Sequence, residues 1–185
     1  MRVERLHRVF DIEVIYRHFP LHPDTPREGL TLERLFAGRG IDIPAANARM
    51  AGLMQQEGLP YSTRSMTFNS RLAQELAAWS ETQPNGGAIH DALFRAYFVD
   101  NVNLADLDEL IAIVDRLGLS AEAAEEILVQ RRFREAVDAD WQRSHDLGVT
   151  SVPTFVLGNH GLVGAQSYEQ LEELLIHSGV MRRMT

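Results

Sequence analysis

The chain has 185 residues, 45% of them hydrophobic, with a net charge of -8 and no cysteine. That suits one compact domain, or one domain carrying an insertion, rather than a disordered tail, and the acidic balance argues against nucleic acid or an anionic membrane surface as a partner. With no thiol and with arginine as the only long-chain cation, these residues hold no disulfide, thiolate nucleophile, thiolate metal ligand, Schiff-base lysine or P-loop lysine.

Met1 to Phe10 places Val3, Leu6 and Phe10 at helix spacing, and reads as the tail of a helix. Asp11-Ile12-Glu13-Val14-Ile15-Tyr16 alternates polar and apolar, which predicts a strand. Pro20-Leu21-His22-Pro23-Asp24-Thr25-Pro26 predicts a stiff extended loop. Thr31 caps a short helix to Ala37, ended by Gly38 and Gly40. Pro44 opens a helix to about Glu57, with Ala46, Met50, Leu53 and Met54 on one side and Gly58 as its stop. Asn69 caps a helix over Ser70–Thr82, with Leu72, Leu76 and Trp79 inward. Gln83-Pro84-Asn85-Gly86-Gly87 breaks the chain before a helix over Ala88–Val99, with Ile89, Leu93, Phe94 and Tyr97 inward. Asn103 or Asp106 caps the next, through Leu107, Ile111 and Val114 to Leu117. Ser120 caps another, and Phe133–Leu147 forms one more, with Val137 and Trp141 inward and Gly148 as its end.

The pattern then changes. Thr154-Phe155-Val156-Leu157 is a buried-strand run, Gly158–Gly161 a hairpin turn, Leu162–Gly164 a short return strand, and Tyr168–His177 a helix capped by Ser167. Two β pieces separated by helices imply one α/β domain with a helical insertion. No apolar run reaches the ~18 residues of a membrane span. The basic start, Met1-Arg2-Val3-Glu4-Arg5-Leu6, has no apolar signal core after it, so the expected location is cytoplasmic.

Three stretches carry a resemblance: "VIYRHFPLHPDTPREG" (14–29), "ALFRAYFVDNVNLADLDELIAIVDRLGL" (92–119) and "HDLGVTSVPTFVLGNHGLVGAQSYEQLEELL" (145–175). Together they resemble the DsbA-like branch of the thioredoxin superfamily, and within it the FrnE-like thiol-disulfide oxidoreductases. The last stretch is similar to that family's cis-proline loop, terminal hairpin and final helix. The resemblance implies an α/β, thioredoxin-like fold of DsbA type with a large all-helical insertion, the thioredoxin-like part being 1–30 and 145–185 and the insertion 31–144. The family opens with a strand and a Cys-x-x-Cys motif at a helix N-terminus, where the dipole favours the thiolate. This sequence opens inside that helix, so the N-terminal strand and the redox cysteines are expected to be missing from it. Three resolutions stay open: a start set too far downstream, an early strand that fills the gap, or a second copy completing the sheet as a homodimer.

By the same resemblance Pro153 is cis, the backbone of Val152 meets the substrate, and Thr150 and Ser151 line the loop. Ser151, Val152 and Pro153 are thus the substrate-binding residues, and no residue of this chain is catalytic. Base rates alone favour a trans Pro153 at the start of a strand. The implied function is that of a protein-disulfide exchange family member. The partner would be a polypeptide or a thiol-containing small molecule, with no metal and no cofactor beyond an admissible glutathione. The alternatives are a non-catalytic peptide- or thiol-binding protein, or a relative of the kappa-class glutathione transferases and 2-hydroxychromene-2-carboxylate isomerases.

Other chemistry-bearing residues have plainer readings. His18 and His22 are four apart, but Pro20 between them prevents helical i, i+4 geometry, so loop contacts outrank a metal pair. His145 and Asp146 read as surface or capping groups, His160 as turn polarity, and Glu4, Arg5 and Arg8 as a solvated helix face. Met50, Met54 and Met66, with Phe68, read as core before they read as a peptide-binding surface. Asn69 reads as a helix cap before a site-lining group.

Overall fold

A computed structural model describes residues 2–183. The chain divides into two compact units, Met1–Leu21 with Asp140–Thr185, and His22–Ala139. The sequence reading placed the cuts after 30 and after 144. Asn69 ties the proline loop to the second unit, its Nδ2 donating to Pro23 O at 3.0 Å and Thr25 O at 2.8 Å. The second cut falls inside a continuous helix, Arg134–Asp146.

The first unit begins with α1, Arg2–Val9, which buries Leu6; Met1 lies outside the described residues. Phe10 follows fully buried and forms an isolated antiparallel bridge with Arg182. The predicted strand over Asp11–Tyr16 does not form. The segment is irregular, and Val14, Ile15 and Tyr16 are exposed. Alternation specifies two faces, but a strand also needs a neighbouring backbone along its length, and here the pairing stops at its first residue, where the Asp11 N–H donates to Met181 O at 3.0 Å. The segment is held at its far end instead: Asp140 accepts from Arg17 Nη1 at 3.1 Å and from the His18 N–H at 3.0 Å.

The second unit holds β1 (Leu30–Thr31), α2 (Leu32–Leu35), α3 (Ile43–Gln56), β2 (Met66–Thr67), α4 (Arg71–Ser80), a 3-10 turn (Gly86–Ala88), α5 (Ile89–Phe98), α6 (Leu107–Arg116), α7 (Ala121–Val129) and the start of α8 (Arg134–Asp146). Besides its helices it carries a two-residue antiparallel ladder, Leu30 opposite Thr67 and Thr31 opposite Met66. Its core is built by α4, α5, α6 and α7, with Leu76, Ile89, Leu110 and Val114 completely buried. The caps follow the sequence: Thr31, Asp106 and Ser120 each accept from backbone N–H groups in the first turn. Asp42, two residues before Pro44, is the cap of α3. Asn69 Oδ1 accepts from Arg71 N at 2.9 Å and does the capping that the adjacent Ser70 side chain does not.

Two inward assignments are corrected. Phe94 is 60% exposed and stacks on Phe98 at the surface, 6.1 Å between centroids. Helix α3 buries no residue at all, and Met50 and Leu53 are exposed. Apolar spacing marks a face, and a face is core only where another element covers it.

The first unit ends with the hairpin β3 (Thr154–Leu157) and β4 (His160–Val163), then α9 (Tyr168–His177). The return strand starts two residues earlier than expected, because Leu157 pairs with His160 across a two-residue Gly158-Asn159 turn. Gly158 takes φ +58°, which glycine adopts without a Cβ penalty. Ser167 and Gln170 close a reciprocal capping box on α9. Leu171 and Leu175 of α9 form the small core of this unit with Leu6 and Phe10, against Phe155, Leu157 and Leu162.

Candidate functional site

The loop 148–153 is set between two fixed ends. At one end Gly148, at φ +66°, closes α8, its N–H donating to His145 O at 2.9 Å while the Val149 N–H reaches Ser144 O at 2.9 Å. At the other, Thr154 Oγ1 donates to Ser151 O at 2.7 Å, and the Gly164 N–H donates to Pro153 O at 2.7 Å. The Val152–Pro153 peptide bond is cis. Val152 and Pro153 are exposed and Ser151 half-buried, so the three expected site residues lie together on one accessible loop.

The hairpin register decides what that loop offers. Thr154 pairs with Val163 and Phe155 with Leu162. With Gly164 N bonded to Pro153 O, residues 153, 155 and 157 turn their peptide groups toward β4. Val152, Thr154 and Val156 therefore turn their N–H and C=O groups to the opposite edge of β3. Among the described residues, that edge meets no strand. Side chains on the face away from Phe155 and Leu157 are open as well, Val156 being 46% and Val163 58% exposed. An open edge with a flat apolar flank is a template for an added strand.

The loop 148–153 carries the hydroxyls of Thr150 and Ser151 and no ionisable side chain. Among the described residues, no three His, Asp or Glu side chains cluster as a metal site. The His18 N–H donates to Asp140 Oδ2, and burial, then the nearby Arg39, push the pKa of His22 down. His145 and Asp146 lie on the surface of α8, 3.5 Å apart, and His160 is exposed at the start of β4. Arg5 stacks over Tyr168, 3.9 Å from the ring centroid. Asn69 is committed in the second unit, to Pro23, Thr25 and the α4 N-terminus. The sequence reading missed the parity of β3, although the two-residue turn Gly158-Asn159 carries that signal.

Residues 1–176 match the model of the DSBA-like thioredoxin domain. The chain belongs to that family. Its fold is the DsbA-like thioredoxin fold with a large helical insertion. The crystal structure of a "probable DsbA oxidoreductase" from Streptomyces coelicolor superposes with a TM-score of 0.86 at 26% identity, covering 100% of this chain and 85% of that one. A 2-hydroxychromene-2-carboxylate isomerase structure shares the fold, with a TM-score of 0.63 at 20% identity over 96% of this chain and 85% of that one. The uncharacterized protein YwbO of Bacillus subtilis is 23% identical over 105 residues, 56% of this chain and 52% of the relative. The chain thus spans about half the length of that curated relative. The DSBA-like domain here holds no cysteine.

Proposed function

We propose that this DSBA-like domain binds extended polypeptide along the free edge of β3, as a FrnE-like member of the disulfide-exchange family, and that its 185 residues act in recognition rather than in sulfur chemistry. The observation that carries the reading is the row of peptide groups at Val152, Thr154 and Val156, aimed away from β4 and continuous with the exposed loop. Main-chain pairing to such an edge is indifferent to sequence, which suits a protein that meets unfolded chains. The proline loop "HFPLHPDTP" and the ending "GAQSYEQL" support the FrnE-like assignment. Glutathione is a short extended peptide and would compete for Val152 alone.

The test is amide hydrogen exchange with and without an unfolded, thiol-blocked polypeptide. Protection is expected at Val152, Thr154 and Val156, with little change at Phe155 and Leu157, which already face β4. Unchanged exchange at all three edge amides would reject the reading. In parallel, the chain alone is expected not to accelerate insulin reduction by dithiothreitol, because disulfide exchange needs a thiolate.

A further inference from the structure

The second unit contains a cavity of about 440 Å³ that peptide binding does not use. Its size falls in the range of small-molecule sites, about 300–1,000 Å³. The body of the wall is apolar, from Leu72 on α4, Leu107 on α6 and Leu128 and Val129 on α7. Its charged groups are all cationic: Arg27, Arg71 and Arg131 line it, and no carboxylate does.

The way Arg131 is held makes the wall more than a chance grouping. Glu75, almost wholly buried, accepts Arg131 Nε at 2.7 Å and Nη2 at 2.6 Å, and also Arg71 Nε at 2.7 Å. Burial pushes the Glu75 pKa up, but the hydrogen bonds from Arg131 and Arg71 outweigh it, and the net shift is downward. One buried carboxylate is therefore shared by two guanidiniums. Asp138 takes Arg71 Nη1 at 2.7 Å and Arg134 Nε at 3.7 Å, so three arginines face two carboxylates in this network. Arg131 also holds a left-handed backbone, φ +53°, unfavourable for a residue with a Cβ. That conformation comes with the bidentate grip on Glu75, which engages Nε and Nη2 and leaves the Nη1 edge of a half-exposed guanidinium uncommitted. Arg27, mostly exposed, has only a loose pair with Asp106 at 3.9 Å.

We propose that this cavity binds an organic anion with an apolar body, its acid group on Arg27 and the free edge of Arg131, its body against Leu72, Leu107 and Val129. The cationic rim sets the sign of the ligand, and the apolar wall requires more than a bare inorganic ion. The site lies wholly within His22–Ala139 and stands independently of the peptide edge of the other unit.

The probe is octanoate, titrated into the full chain and followed by calorimetry and amide chemical shifts, with octanol as the neutral control. Saturable binding is expected, with shifts at Leu72, Leu107 and Val129, and octanol is expected to bind about tenfold more weakly or worse, since it lacks the charge-assisted hydrogen bonds. Arg131→Gln would disturb the buried Glu75 network, so the variants sit at exposed positions. Val129→Glu puts a like charge into the wall and is expected to abolish binding. Arg27→Gln is expected to weaken it several-fold. Octanoate that fails to saturate, octanol that binds equally, or Val129→Glu that binds octanoate like the parent would each overturn the proposal.

Discussion

The two units are built on opposite terms. The helical unit closes fourteen buried apolar side chains into one cluster, drawn mainly from α4, α5, α6 and α7. The thioredoxin-like unit closes four among its described residues, Leu6, Phe10, Leu171 and Leu175, and leaves Val14, Ile15, Val152, Val156 and Val163 exposed. Helices satisfy most of their backbone groups internally, so the helical unit closes its core without a sheet edge to fill, although Met50, Leu53 and Phe94 stay exposed on it. A two-stranded hairpin always leaves two edges, and its backbone bonding is finished only by something outside it. One unit closes a large core, and the other leaves the outer edge of β3 without a strand partner among the described residues.

The largest effect should come from the helical core. Leu76→Ala, at a fully buried position, is expected to destabilise the chain by about 4 kcal/mol, and Leu171→Ala in the smaller core by about 2 kcal/mol, both read from urea unfolding. Equal losses would erase the distinction between the units. Glu75→Gln comes next, at about 3 kcal/mol, because it leaves Arg71 and Arg131 without their shared buried carboxylate. This effect carries a pH signature. The folded pKa of Glu75 lies below its ordinary value, so its stabilisation is complete above the unfolded value of about 4.3 and drains away as pH falls through the folded one. The parent should lose stability over that acid range more steeply than Glu75→Gln. Parallel acid limbs would show that the carboxylate is not the source.

Much of the helical structure in both units was legible because its signals are local. Thr31, Asp106 and Ser120 in the helical unit, and Ser167 in the other, cap where the sequence places caps, and Gly58 and Gly148 follow the ends of their helices with positive φ. What failed depended on partners far along the chain. The alternation of Asp11–Tyr16 is real, yet a strand is a property of two segments. Met50 and Leu53 have core spacing on α3, but no element covers them. The Glu75–Arg131 pair joins positions 56 apart, and no periodicity announces it. Ser151, Val152 and Pro153 were singled out through resemblance; the parity that turns Val152, Thr154 and Val156 outward came only with the hairpin register.

A smaller effect tests whether the thin core of the thioredoxin-like unit leans on its last helix. Ser167→Ala removes one half of the α9 capping box and should cost about 1 kcal/mol. The loss should appear as faster hydrogen exchange across Gln170–Leu175, which joins the helix end to the core residues Leu171 and Leu175. Loss spread evenly over both units would mean that they unfold as one.

The smallest effect on stability should accompany a large effect on binding, and it separates the two roles most directly. Val156 lies on the open face of β3, and its peptide group faces the free edge. Val156 is half-exposed and outside the core cluster, so the expected change in stability for Val156→Lys is within about 0.5 kcal/mol. A lysine on an edge strand is nonetheless one of the devices by which proteins discourage strand addition, because pairing crowds the charged side chain against the incoming chain. Affinity for an unfolded, thiol-blocked polypeptide should therefore fall while the urea midpoint stays in place. A variant that keeps its affinity would move recognition off the β3 edge. One that loses stability in proportion to affinity would make Val156 part of the core rather than part of the proposed recognition edge.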